Sequence, residues 1–304
     1  MSVTTGNGSR VLAVRHETLY DYDTPVEVAH HSAHLRPRDT ECQQVVDWDL
    51  AIDPEPEGGL GALQESRDAF GNWRHGFNHA TVHDRLSVVS RFQVRLTAPP
   101  PPAIDESPPW QEVAQALRFR AGATQPEAIE FALGSAFAPV HAALVDFGDG
   151  LFEPGRPLLA VAMALMARVH ERMAYQPNST DVATDALQAL AHRRGVCQDF
   201  AHLMIGALRS RGLAARYVSG YLLTRPPPGQ PRLLGADASH AWVAVWCPLN
   251  GWIALDPTND LAVGLDHVTL AFGRDYGDVA PLRGVIRGGG TTPPTVAVTV
   301  EPLP

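Results

Sequence analysis

The 304-residue chain is poor in cysteine and poor in positive charge, with three cysteines, and 24 basic residues against 33 acidic ones. Cys42, Cys197 and Cys247 form no close pair, which excludes a disulfide framework and a CxxC-type metal knot. A formal net charge of −9 excludes a broad nucleic-acid-binding surface. No apolar run approaches the roughly 18 residues that a membrane-spanning helix needs. The first ten residues are polar and lack the apolar core of a secretory signal, so the expectation is a cytoplasmic protein without a membrane partner. What is present is an ordinary globular composition, 45% hydrophobic, over a length that suggests two domains.

The stretch from Arg193 to Gly220 puts one cysteine at the mouth of a helix. Val196, Phe200, Leu203, Met204, Ala207 and Leu208 recur at steps of three and four, the period of one buried helical face. Gly195 breaks the chain before it and Gly212 stops it. Cys197 therefore faces unpaired backbone N–H groups and the positive end of the helix dipole, and both favour a thiolate. A helix end contributes only about 0.3–1 kcal/mol to a nearby negative charge. A reactive thiolate needs a second contributor, usually a protonated imidazole.

His240 is positioned to supply it. It opens a valine- and tryptophan-rich run that ends at Trp246, and Pro248, Asn250 and Gly251 form a turn before a return run, Trp252 to Leu255. The start of one hairpin strand lies beside the end of its partner, so this arrangement brings Asp256 toward His240.

GVCQDFA, SHAW and DPTN stand in that order, with 43 residues from Cys197 to His240 and 16 from His240 to Asp256. In this they resemble the motif blocks of the transglutaminase-like cysteine enzymes. The likeness is dense from about Thr184 to Gly289, and is nearest to the bacterial proteins that carry a β-rich N-terminal domain. The resemblance implies Cys197 as nucleophile, His240 as base and later acid, and Asp256 as the carboxylate that orients the imidazole. It implies acyl transfer from an amide through a thioester, with a peptide or protein amide as partner and no cofactor or metal. Hydrolysis of a peptide or isopeptide-type amide is the favoured outcome, since water is always present and the sequence shows no built amine site; transfer to an amine and an inert binding module of the same fold are the alternatives.

Around this core the chain divides into residues 1–98, a proline-rich linker 99–109, and residues 110–304. Runs at Val11–His16, Val45–Ile52 and Leu86–Val94 read as strands of a β-sandwich or small sheet, separated by turns near Pro54–Gly59 and Phe70–Asn72. HLRPR and the FGN turn resemble the N-terminal domain of the same bacterial family. The expected fold class is α+β: a β-rich N-terminal domain, then a papain-like transglutaminase core with helices packed on an antiparallel sheet.

Helices are expected over Trp110–Arg120, Glu127–Ala138, Pro157–Met173 and Thr184–His192, the last capped by Thr184. His30, His31 and His34, with His79 and His83, form a tempting metal set. Adjacent strand residues point to opposite faces, so they read as histidines of a half-exposed sheet or an interface. Asp199 reads as a first-turn helix carboxylate, and Arg193 and Arg194 as helix-end cations that could bind a substrate carboxylate. Asp237 is a turn former that could recognise a substrate amine. Trp242, Trp246 and Trp252 read as hairpin core, and Thr295–Val300 as a final strand that closes onto a sheet.

Overall fold

Strand β1 (Ser9–Ala33) runs through both halves of the first sheet, with Leu12, Val14, His16 and Thr18 turned to its buried face. Such alternation of buried and exposed residues is what a half-covered strand requires. The computed structural model describes residues 8–118, 126–224 and 239–303. β2 (Gln43–Asp53), β3 (Gln64–Arg67), β4 (Trp73–His79) and β5 (His83–Thr97) complete the N-terminal part, in the order β2-β5-β1-β4-β3. The register of β1 breaks between Asp21 and Val26, so its first half pairs with β5 and its second half with β4. This is one curled antiparallel sheet; the sandwich alternative is not adopted.

Past the linker come α1 (Trp110–Ala116), α2 (Pro126–Glu130), α3 (Ala142–Phe147) and α4 (Leu158–Arg172). α2 is much shorter than its pattern suggests. α4 keeps Pro157 at its N-cap and buries Leu158, Val161, Leu165 and Val169 completely. Next are β6 (Ala174–Tyr175), α5 (Ala186–His192), β7 (Arg194–Gly195) and α6 (Cys197–Arg209). The cap of α5 is Asp185 rather than Thr184: its carboxylate accepts from the N–H groups of Leu187 and Gln188, and Gln188 returns a bond to the Asp185 N–H. A carboxylate beside free N–H groups is the stronger cap there, and Thr184 bonds Asp181 instead.

The second sheet is built from β8 (Ala215–Leu222), β9 (Ser239–Cys247), β10 (Gly251–Asp256), β11 (Leu261–Ala262) and β12 (His267–Gly273), in the order β11-β10-β9-β8-β12. α6 lies against β8 and β9, with α3, α4 and α5 around it. Its stripe of apolar residues predicts one buried face, yet every residue from Gln198 to Arg209 is buried. A helix enclosed on all sides must satisfy its polar groups internally. Arg209 does so on the carbonyls of Phe131, Ala215 and Arg274 and on the Ser135 hydroxyl. At its C-terminal end Gly212 adopts φ 77° and the Leu213 N–H bonds the Leu208 carbonyl, closing the helix.

After α7 (Tyr276–Val279), strands β13 (Leu282–Gly288) and β14 (Thr295–Leu303) return to the first sheet and pair with β1. Residues that sequence groups with the second region thus end in the first. The two sheets share a core: Leu12, Val14, Phe92, Val298 and Val300 meet Tyr221, Val268 and Leu270. The free edge of β12 is covered from the N-terminal part. The Gln43 amide bridges the N–H and carbonyl of Thr269, and the Asn72 amide does the same for Phe272.

The histidines of the first sheet are more deeply placed than a half-exposed sheet allows. His31, His34, His79 and His83 are buried, and only His30 is exposed. His31 stacks on Phe77, His79 bonds the Pro54 carbonyl, and His34 faces Ala280 at the junction with the second part.

Candidate active site

Cys197 is the first residue of α6, and the turn before it is held by Asp199. The Asp199 carboxylate accepts from the Val196 N–H at 2.7 Å and from the Thr180 hydroxyl at 2.6 Å. Gly195 is required by that arrangement, since a Cβ there would sit 2.4 Å from the Asp199 carboxylate. Burial pushes the Asp199 carboxyl up, against the pull of these two bonds and with the charge of Asp181 adding to the rise. The residue is therefore a structural part of the helix start, with its second oxygen buried and unpaired among the described residues.

β9 and β10 form the expected hairpin, with Trp246 opposite Trp252 and Val243 opposite Leu255. Asp256, one residue further, reaches diagonally to His240, and its Oδ2 lies 2.7 Å from His240 Nε2. An ionised carboxylate only accepts, so Nε2 carries the proton and Nδ1 is the ring nitrogen left for the thiol. Cys197 acts on this ring as one of the influences that raise its pKa, after Asp256. Burial would lower the His240 pKa, but the bonds to Asp256 and Cys197 outweigh it and raise it to about 10. Asp256, fully buried, is pulled below the usual carboxylate range: burial opposes this, and the bonds from His240, His267 and Asn259 prevail. The contribution of His240 to stability is therefore complete below its unfolded pKa of about 6.5 and lost as pH climbs through about 10.

Two further residues hold Asp256: Asn259, the last residue of the DPTN block, and His267, which lies outside all three motif blocks. His267 on β12 approaches Asp256 Oδ2 through Nε2 at 3.1 Å, and the Asn259 amide donates to the same oxygen at 2.7 Å. The Trp242 ring packs on both imidazoles, with centroids 6.0 Å from His240 and 5.3 Å from His267. His240, Asp256 and His267 offer ligand atoms within 4.8 Å of one another, the donor set that a divalent cation could use. Those atoms already bond each other through Asp256 Oδ2, so the set is self-satisfied as it stands. Arg193 caps α5 with φ 51° and Arg194 forms β7, both exposed. Asp237 and the proline-rich loop beyond Thr224 lie outside the described residues.

Residues 146–257 match the transglutaminase-like superfamily, and residues 12–95 match the bacterial transglutaminase-like N-terminal region. An uncharacterised protein of Mycobacterium tuberculosis is 39% identical over 284 residues, covering 92% of this chain and 88% of that one. One from Mycobacterium leprae is 33% identical, with 96% and 99% covered. The protein-glutamine gamma-glutamyltransferase of Pseudomonas aeruginosa is 34% identical over 110 residues, 35% of this chain and 16% of that one. The crystal structure of a candidate cysteine protease from Cytophaga hutchinsonii superposes with a TM-score of 0.74 at 20% identity, over 98% of this chain and 92% of that chain, a likeness of fold. With both of its regions matched and near-full-length relatives of this similarity, the chain belongs to the transglutaminase-like superfamily, in the branch that carries the bacterial N-terminal region.

Proposed function

We propose that the chain is a cysteine-dependent acyl-transfer enzyme that hydrolyses a peptide or isopeptide-type amide. The observation that carries this reading is the 2.7 Å contact between Asp256 and a His240 ring set against a cysteine at a helix start. In the proposed cycle the Cys197 sulfur attacks the amide carbonyl and forms a C–S bond. The oxygen gains the electron pair, and the Cys197 backbone N–H, in the first turn of α6 and without a partner among the described residues, is one donor to it. The intermediate collapses with cleavage of the C–N bond, and His240 Nδ1–H gives its proton to the departing amine. Water, deprotonated by the same ring, attacks the thioester, yielding the acid and returning the proton to the thiol–imidazole pair. Asp256 holds the imidazole in one tautomer and stabilises its cation throughout.

Transfer to an amine is the second reading, favoured by the match of 110 residues to a protein-glutamine gamma-glutamyltransferase. The test is incubation with glutamine-containing peptides, with and without a primary amine. The chain contains no lysine, so it offers no side-chain amine of its own to become cross-linked. Hydrolysis predicts ammonia release or peptide cleavage with no amine incorporated, abolished in Cys197→Ala. Amine incorporation in preference to water would replace the hydrolase reading by the transferase, and unchanged turnover in Cys197→Ala would remove both.

A further inference from the structure

A cavity of about 370 Å³ lies between the N-terminal part and the face of the second sheet turned away from α6. Its walls combine the segment around Arg38 and Cys42, the linker prolines, and Arg216, Trp242, Trp252 and Phe272 of the sheet. Neither Cys197, His240 nor Asp256 lines it, although Trp242 and His267 do.

Arg216 is the unusual member. Its guanidinium lies 3.6 Å from the centre of the Phe272 ring and 4.2 Å from that of Trp252. Among the described residues it makes no hydrogen bond or ion pair, and its Nε is buried without a partner. Ring contacts stabilise the charge, yet they use none of the five fork donors. Arg209 shows what a structural arginine does in this fold, since its donors are spent on three carbonyls and a hydroxyl. Arg38 stands over Phe272 as well, at 4.3 Å, with one nitrogen on Phe70 and Asn72 and its Nε unpaired. Two exposed carboxylates share the lining. Asp39 is engaged by the Val45 N–H, and Glu41 acts on Arg216 only through space. A desolvated guanidinium between two rings, opening on a cavity of this size, is a receptor for an anion with an apolar body.

We propose that this cavity binds a small organic carboxylate, its oxygens on the Arg216 fork and its flat apolar portion against Trp252 and Trp242, at a site separate from Cys197. The volume suits a molecule of amino-acid or short-aryl-acid size. The site does not depend on whether Cys197 is catalytic.

The test uses the full chain, 3-phenylpropionate as probe and its neutral isostere 3-phenylpropionamide, with titration followed by calorimetry. The wild type and Cys197→Ala are expected to bind the acid alike, and about tenfold or more tighter than the amide. Arg216→Met, which keeps an unbranched chain between the two rings, is expected to bind the acid no better than the amide. Equal affinity of the wild type for acid and amide, or no binding of the acid, overturns the proposal without recourse to any variant. Acid binding that survives in a folded Arg216→Met, or that is lost in Cys197→Ala, overturns it too.

Discussion

Five donors converge on the Asp256 carboxylate: the Nε2 atoms of His240 and His267, the Asn259 amide, and the backbone N–H groups of Thr258 and Asn259. Both imidazoles then donate from Nε2, and His267 Nδ1 is buried and without a partner among the described residues. A buried unpaired nitrogen costs free energy, and what it gains is a fixed direction for the carboxylate that orients His240. In the proposed enzyme His267 is thus a positioning residue. His267→Leu is expected to lower kcat on the order of 10–100-fold with little change in KM, and His267→Gln to recover most of it. Equal losses in both variants, tracking a lowered Tm, would mean a merely structural role. The proposed site residues Cys197, His240 and Asp256 are legible as motif blocks because each sits at or near the end of an element that local patterning reveals. His267 lies on a strand across the sheet, and nothing local to it records which strand will be its neighbour.

At the scale of the element, α6 and the β9–β10 hairpin are readable from their own periodicities of about 3.6 and 2. The complete burial of α6 is not, because it depends on the helices that surround it. The start of α6 is the most exacting point. Adding a methyl at Gly195 displaces the Asp199 carboxylate from the Val196 N–H, and with it the first turn that carries Cys197. Gly195→Ala is expected to cost about 1–3 kcal/mol in denaturant unfolding and to slow thiol alkylation. An unchanged midpoint with unchanged alkylation would show that the helix start does not depend on this contact.

At the scale of the whole molecule, the return of β13 and β14 to the first sheet ties the ends of the chain together. The signal for β14 is local, but its partner, β1, lies more than 250 residues away. The FGN turn and the HLRPR segment find their physical role here: Asn72 closes the edge of β12, and Arg38 reaches both Asn72 and the cavity. The fold also buries neutral histidines. Burial pushes His16, at the Tyr221 contact, down to about 4, and His202, inside α6, down to about 3. Between those values and about 6.5 the unfolded chain takes up protons that the folded rings refuse, so stability falls as pH drops from about 6.5 toward 4. His16 alone contributes on the order of 3 kcal/mol to that fall. The raised pKa of His240 gives no loss in this range, since its contribution is intact at acid pH. Denaturant titrations at pH 7 and pH 4.5 are expected to show a clear loss of stability at the lower pH, reduced by His16→Gln. A flat profile would mean that these rings are reached by protons in the folded state.

The central claim, that His240 and Asp256 make the Cys197 sulfur a nucleophile, is tested most directly by the rate of iodoacetamide alkylation at Cys197, followed by peptide mass at pH 6. The expected result is a rate about tenfold or more above that of an unstructured cysteine peptide, falling to the peptide's rate in His240→Ala. A rate equal to the peptide's in the folded wild type, and indifferent to the loss of the imidazole, would contradict it.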